Sequence, residues 1–254
     1  MKIILLFLSL SVALAFNLNN SSKNFAKEKT GSVKITFVNT VKGKPIQLNT
    51  FTYTNPFSEQ YTISKFKYYI SHVSLSFPGG VIYEIESCHL IDESRPGSLS
   101  FSFSFPAAEK SYSAVSFLLG VDSILNVSGA QTGALDPLND MFWTWNNGYV
   151  MAKMEGNSPQ STVVNNKVEF HIGGFMGANN VLKNISLDLP PGKSLTIQQG
   201  KTSEIIIEAD IDKWWQQPND IKISEHPVCA TPGPLAKKIA DNYSKMFSIK
   251  DIVN

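Results

Sequence analysis

The chain is poor in the residues that carry most protein chemistry. It holds two cysteines and four histidines in 254 residues, and its 22 basic side chains nearly cancel its 21 acidic ones. A chain so close to neutral lacks the electrostatic footprint of a nucleic-acid or anionic-membrane binder. Cys-x-x-Cys, His-Glu-x-x-His, Gly-x-Ser-x-Gly and a phosphate-binding glycine loop are all missing, which removes the common zinc, metalloprotease, serine-hydrolase and nucleotide-binding classes. No motif supports catalysis, so the expectation is a protein that is not an enzyme. Internal repeats are absent too.

Long apolar runs are scarce as well. One runs from Ile3 to Leu10, after Lys2 and before Ala13-Leu14-Ala15. It is too short to span a bilayer, and its flanks read as a signal peptide over residues 1–15, cleaved before Phe16. No cysteine stands at the cleavage point, so a lipid anchor is not expected, and the chain is expected to be exported to the periplasm or beyond. Residues 16–30, rich in Asn, Ser and Lys, read as a flexible leader. Without Lys2 the charges balance at 21 against 21.

Alternation of apolar and polar residues dominates the rest. Ser32 to Val38 alternates at period two, as a half-buried strand does. The pattern returns at Ile46–Tyr53, Ile63–Leu75, Val81–Leu90, Ser98–Phe105, Tyr112–Leu119, Val150–Met154, Val168–Ile172, Asn184–Leu189, Ser194–Gln198 and Ile205–Ala209. Turn signals such as Pro78-Gly79-Gly80 and Pro190-Pro191-Gly192 separate the segments. Roughly ten strands at this spacing predict an all-β fold, an antiparallel β-sandwich over residues 31–212. Phe101, Phe103 and Phe105 would share a core-facing side. Residues 213–254 read as a C-terminal helical extension packed on the sandwich, with Leu235, Ile239, Tyr243, Met246 and Phe247 on one stripe. Cys88 and Cys229 could close a loop of about 140 residues as a disulfide in an oxidising compartment, or stand as separate thiols. The Asn-x-Ser sequences at Asn126, Asn184 and Asn242 are read as chance matches to the glycosylation pattern.

Chemistry concentrates in two segments. One is Met141-Phe142-Trp143-Thr144-Trp145-Asn146-Asn147-Gly148-Tyr149, and the other is Val168-Glu169-Phe170-His171-Ile172-Gly173-Gly174. In an extended chain Met141, Trp143 and Trp145 share a face, which makes a core wall or the lining of a soft-metal site. On the second segment His171 and Glu169 point away from Val168, Phe170 and Ile172. Gly173-Gly174 leaves room for a close approach of backbone or ion, and Glu169 could hold the second nitrogen of a ligand imidazole. Met141, Met151, Met154 and Met176 lie nearby, and thioethers serve both Cu(I) and cores. Asp136, Asp140 and Glu155 read as solvated or turn-capping carboxylates. The long irregular connection from Gly120 to Met141 leads directly into the tryptophans, and such loops are often functional.

These two segments, together with Phe66-Lys67-Tyr68-Tyr69-Ile70-Ser71 and Phe117-Leu118-Leu119-Gly120-Val121-Asp122, resemble the MbnP-like family of secreted copper-binding proteins in order and content. The match covers roughly residues 33 to 212. The resemblance implies a β-rich domain with a mononuclear copper site built from histidine. In some members of the family, and in related copper proteins, a tryptophan oxidised to kynurenine by a partner dihaem peroxidase takes part, and here Trp143 or Trp145 would be that residue, lining or joining the site. His171 is the leading ligand, with His72, or else His226, as the second; His89 ranks last. The competing reading is a metal-free secreted interaction or carbohydrate-binding module whose exposed aromatics stack on a ligand.

Overall fold

The computed structural model describes residues 30–85, 88–106, 111–146 and 148–254. The expected signal peptide and nearly all of the leader lie outside the described residues.

Alternation becomes layers. In β1 (Thr30–Val41) Val33, Ile35 and Phe37 are buried while the residues between them are half-exposed. β2 (Lys65–Phe77) is buried along most of its length, as befits a central strand covered on both faces. β3 (Cys88–Asp92), β4 (Ser100–Pro106), β5 (Ala114–Leu119), β6 (Gly148–Asn157), β7 (Lys167–Gly173), β8 (Lys183–Asp188), β9 (Thr202–Asp210) and β10 (Phe247–Val253) complete the long strands. One sheet runs β10-β9-β1-β4, and the other runs β8-β5-β2-β6-β7 with β3 also paired to β2. Phe37 joins the layers, its ring 5.8 Å from Tyr68 and 6.0 Å from Phe117. The fold is an all-β sandwich, antiparallel except for the central β1–β9 pair and the short Val228–Cys229 strand, which runs parallel to β7.

Several segments depart from the sequence expectation for local reasons. Of Ile46–Tyr53 only Tyr53 is in a strand, the two-residue Tyr53–Thr54: Asn49 takes φ 64° and turns the chain, although Ile46 and Tyr53 still reach the core. Ser194–Gln198 forms only an isolated bridge despite its alternation. Val81–Leu90 splits into Gly80–Tyr83 and β3. Of the three phenylalanines of β4, Phe105 is buried, while Phe101 and Phe103 are half-buried at the core's margin.

The C-terminal helix α1 (Pro234–Tyr243) stops short of Met246 and Phe247, capped by Ser244. Both residues are buried, but from the strand side: Phe247 opens β10, which pairs with β9. The C-terminal segment thus completes a sheet as well as packing a helix. Its anchors are polar and fully bonded. Asn242, wholly buried, donates to the carbonyls of Trp214 and Asn219, and Glu59 accepts the N–H groups of Ile223 and Ser224 at 2.7 and 2.9 Å. Such burial of Asn242, and of Asn126, excludes a glycan at either.

Cys88 and Cys229 are free thiols, so the disulfide is not formed. Cys88 pairs with Ser71, whereas Cys229 lies opposite Phe170, whose row meets β2 at Phe66. Five residues of strand, about 16 Å, plus the intervening strands separate the two. No helix among the described residues is long and apolar enough to cross a membrane.

Candidate metal centre

The hairpin β6–β7 sets the chemistry by register. Glu155 stands opposite Glu169, and Lys153 opposite His171. Val168, Phe170 and Ile172 point into the core at 2% exposure or less, which turns Glu169 and His171 to the outer face of the sheet. There His171 Nε2 lies 2.9 Å from Glu155 Oε1 and 4.0 Å from Glu169 Oε2. One donor atom from each of the three residues lies within 4.8 Å of the others, and among the described residues this is the sole cluster of three such side chains. The hydrogen bond from His171 is the largest cause holding the Glu155 carboxyl down at about 2; Lys65 and Lys153 add to it and outweigh the opposing effect of burial.

Lysines surround the cluster. Lys65 Nζ reaches Glu155 Oε2 at 3.2 Å and Asp140 Oδ2 at 3.0 Å. Lys153, only 2% exposed, pairs with Asp140 Oδ2 at 3.0 Å, donates to the Asp140 carbonyl and lies 3.8 Å from Glu155. Burial pulls its ammonium below the usual lysine range. Lys67 Nζ donates to Asn139 O at 3.1 Å, and Lys167 pairs with Glu169. The loop from Gly120 to Met141 is therefore fastened onto the sheet by lysines that grip its last turn. Asp140 adopts the left-handed conformation there, φ 61°, and the chain then enters Met141 and Trp143.

Trp143 lies over Gly173. A Cβ at Gly173 would sit 2.5 Å from Cζ3 and 2.6 Å from Cη2 of the indole, so what the glycine admits is this ring. Gly173 shares the outward face with His171, two residues away along β7. The extended reading of the tryptophan segment holds only to Trp143; the chain turns at Thr144–Asn146, and the two indoles meet with centroids 5.4 Å apart. Trp143 is 7% exposed and Trp145 62%. Beside them opens a cleft of about 310 Å³, lined by Trp143, Asn146, Tyr149, Phe175, Met176 and Asn179 among others.

The other expected ligands fall elsewhere. His72 sits on β2 five residues beyond Lys67, two strands across from His171, which amounts to about 16 Å along the strand and about 10 Å across. It bonds Asp122 at 3.0 Å and takes φ 53° at a break in the β2–β5 register. Strand geometry thus does not bring His171 and His72 together. His226 comes nearer, two residues before Val228, which pairs with Glu169; its side chain is exposed. His89 stacks on Phe101 at 3.6 Å and bonds Glu84. Met141, Met151 and Met154 are core residues at 1% exposure or less, while Met176 is 68% exposed. Glu155 is the candidate residue that sequence reading missed, having placed it among solvated carboxylates. The signal was available in register: any hairpin that pairs Lys153 with His171 must pair Glu155 with Glu169.

The sequence profile of the MbnP family matches residues 30–231. Among solved structures, MbnP from Methylosinus trichosporium superposes with a TM-score of 0.52 at 15% identity, covering 76% of this chain and 80% of that one, a likeness of fold. No curated protein matches the chain.

Proposed function

Because the chain belongs to the MbnP family, we propose that it is an exported copper-binding protein that acquires, stores or delivers the ion. The reading is carried by one observation, the convergence of His171 Nε2 with the carboxylates of Glu155 and Glu169. One imidazole with carboxylate oxygens suits Cu(II), which heads the affinity order of the divalent first-row ions; thioethers would favour Cu(I), but three of the four nearby methionines are core residues. His171, Glu155 and Glu169 would hold the ion, and His226, two residues before the strand that pairs with β7, is the candidate for a second nitrogen. Bound copper would supply redox and Lewis-acid chemistry. The protein's own part is to offer deprotonated ligands, and a Glu155 carboxyl held down at about 2 is ionised at every working pH.

Trp143 walls the site over Gly173, and Trp145 is the better substrate for the oxidation that the resemblance implies, because its indole is 62% exposed to a partner dihaem peroxidase. One observation favours a second reading as a metal-free binding module. Exposed Trp145 stands beside an amphipathic cleft whose Asn146 and Asn179 carboxamides make no hydrogen bond among the described residues. The test is a Cu(II) titration, with electron paramagnetic resonance, of wild type and of His171→Ala, Glu155→Gln, His72→Ala and His226→Ala. Loss of about 100-fold in affinity in His171→Ala, with His72→Ala unchanged, is expected. A His171→Ala protein that binds as wild type does removes the assignment.

A further inference from the structure

Asp140 and Glu155 draw on the same two ammonium groups. Lys65 Nζ stands 3.0 Å from one carboxylate and 3.2 Å from the other, and Lys153 stands 3.0 and 3.8 Å from them. The two acids belong to different parts of the molecule. Glu155 is on β6 and faces His171, while Asp140 ends the loop and passes directly into Met141, Phe142 and Trp143. Like charges held on shared counter-ions repel, so whatever neutralises Glu155 strengthens the hold of Lys65 and Lys153 on Asp140.

We propose that Lys65 and Lys153 are the positioning residues of the site and couple it to its approach loop: a divalent cation taken by Glu155 and His171 transfers the two ammoniums to Asp140 and tightens residues 133–143. The same ammoniums oppose the cation and set the threshold of affinity it must exceed. The proposal rests on the metal-binding reading, yet its coupling also exists without metal. Glu155→Gln removes the competing charge as a bound cation would.

Hydrogen exchange by mass spectrometry, on peptides spanning 133–143, reads the coupling through the amides of Asn139 and Asp140, which bond Asp136 O and Pro137 O. In metal-free protein, exchange in this segment should slow about threefold in Glu155→Gln and quicken in Asp140→Asn. With Cu(II) it should slow in wild type and lose that response in Lys65→Met. Lys65 is the safer substitution, its side chain being 42% exposed against 2% for Lys153. Lys65→Met should also bind Cu(II) about tenfold more tightly. Unchanged or faster loop exchange in metal-free Glu155→Gln overturns the coupling, whatever copper does. Wild type that binds no Cu(II) while Glu155→Gln still slows the loop overturns instead the metal reading and leaves the shared lysines standing.

Discussion

Gly173→Ala puts the contact between the tryptophan segment and the histidine strand under direct test. The new methyl would meet two indole carbons of Trp143 at 2.5 and 2.6 Å and the Tyr149 carbonyl oxygen at 3.0 Å. Comfortable carbon contacts begin near ~3.5 Å, so the ring must retreat by about 1 Å. It has two options. Leaving its site would expose an indole that buries about 150–250 Å², a loss of about 4–6 kcal/mol at ~25 cal/mol per Å². Staying, with strained rotamers and a shifted strand, costs about 1–3 kcal/mol, so staying wins. Gly173 is outside the left-handed region, and the reduced freedom of the unfolded chain returns about 0.4–1 kcal/mol.

The net expectation is a loss of about 1–2 kcal/mol, or a fall in Tm of about 2–8 °C for a domain of this size. Gly97→Ala is the control, since its Cβ would meet nothing within 4 Å, and it should match wild type or gain slightly. A double-mutant cycle isolates the cause: in a Trp143→Phe background, where the outer ring carbons are gone, Gly173→Ala should cost little. A Gly173→Ala protein with wild-type Tm, or a loss that persists undiminished in the Trp143→Phe background, would refute the packing of indole on glycine.

Glu59→Gln should lower stability by about 2–4 kcal/mol in urea titrations, because a buried carboxylate then no longer accepts from Ile223, Ser224 and Asn55. Burial alone would raise the Glu59 carboxyl, but these hydrogen bonds outweigh it and the folded-state value is lowered. Its stabilisation is therefore full above the unfolded value near ~4.3 and lost as pH falls through the folded one, so wild type and Glu59→Gln should converge in acid; curves parallel down to pH 2 would contradict the assignment. N-bromosuccinimide at limiting amounts should oxidise Trp145 first, as peptide mapping would read, since Trp214 and Trp215 are wholly buried and Trp143 nearly so; prior reaction at Trp143 would reverse the choice of modified residue. Neither thiol should react promptly with a disulfide reagent at pH 8 in the folded protein, because burial pushes Cys88 up to about 12 and Cys229 up to about 11; both should react in denaturant, and a folded protein lacking titratable thiols after unfolding would mean that the bridge forms after all.

What was legible in the sequence follows from the range of the physics. Period-two burial is a local property, so the strands and the outward turn of His171 could be read from Val168-Glu169-Phe170-His171-Ile172 alone. Partners across a sheet are not local. His72 looked as eligible as any other imidazole until the β2–β6–β7 register set it about 16 Å along the sheet from His171, and the two cysteines were divided by the same arithmetic. Glu155 erred in the opposite direction: as a lone carboxylate it read as solvated, whereas the hairpin places it on His171. The alternation of Ile46–Tyr53 was outvoted by one asparagine with positive φ. Phe247 read as the end of a helical stripe, but β9 offers it an edge to pair with.

The lysines were the largest omission, for a physical reason. Lys65, Lys67 and Lys153 fall among strand residues whose neighbours are apolar, where an ammonium reads as an outward, solvated end. Yet Lys153 is buried, because a loop from Gly120 to Met141 lies across it and offers the Asp140 carboxylate and carbonyl as partners. A long loop cannot be folded by its own sparse apolar residues. It is held at its last turn by charges that the sheet presents, and that attachment places Trp143 on the one glycine of β7 that has room for it. Removing the Asp140 carboxylate should therefore loosen the tryptophan as well as the loop, and the indole emission of Asp140→Ala should shift to the red with Trp214 and Trp215 still buried. A spectrum unchanged from wild type would mean that Gly173 and the short Phe142–Trp143 strand hold the ring without the lysines' help.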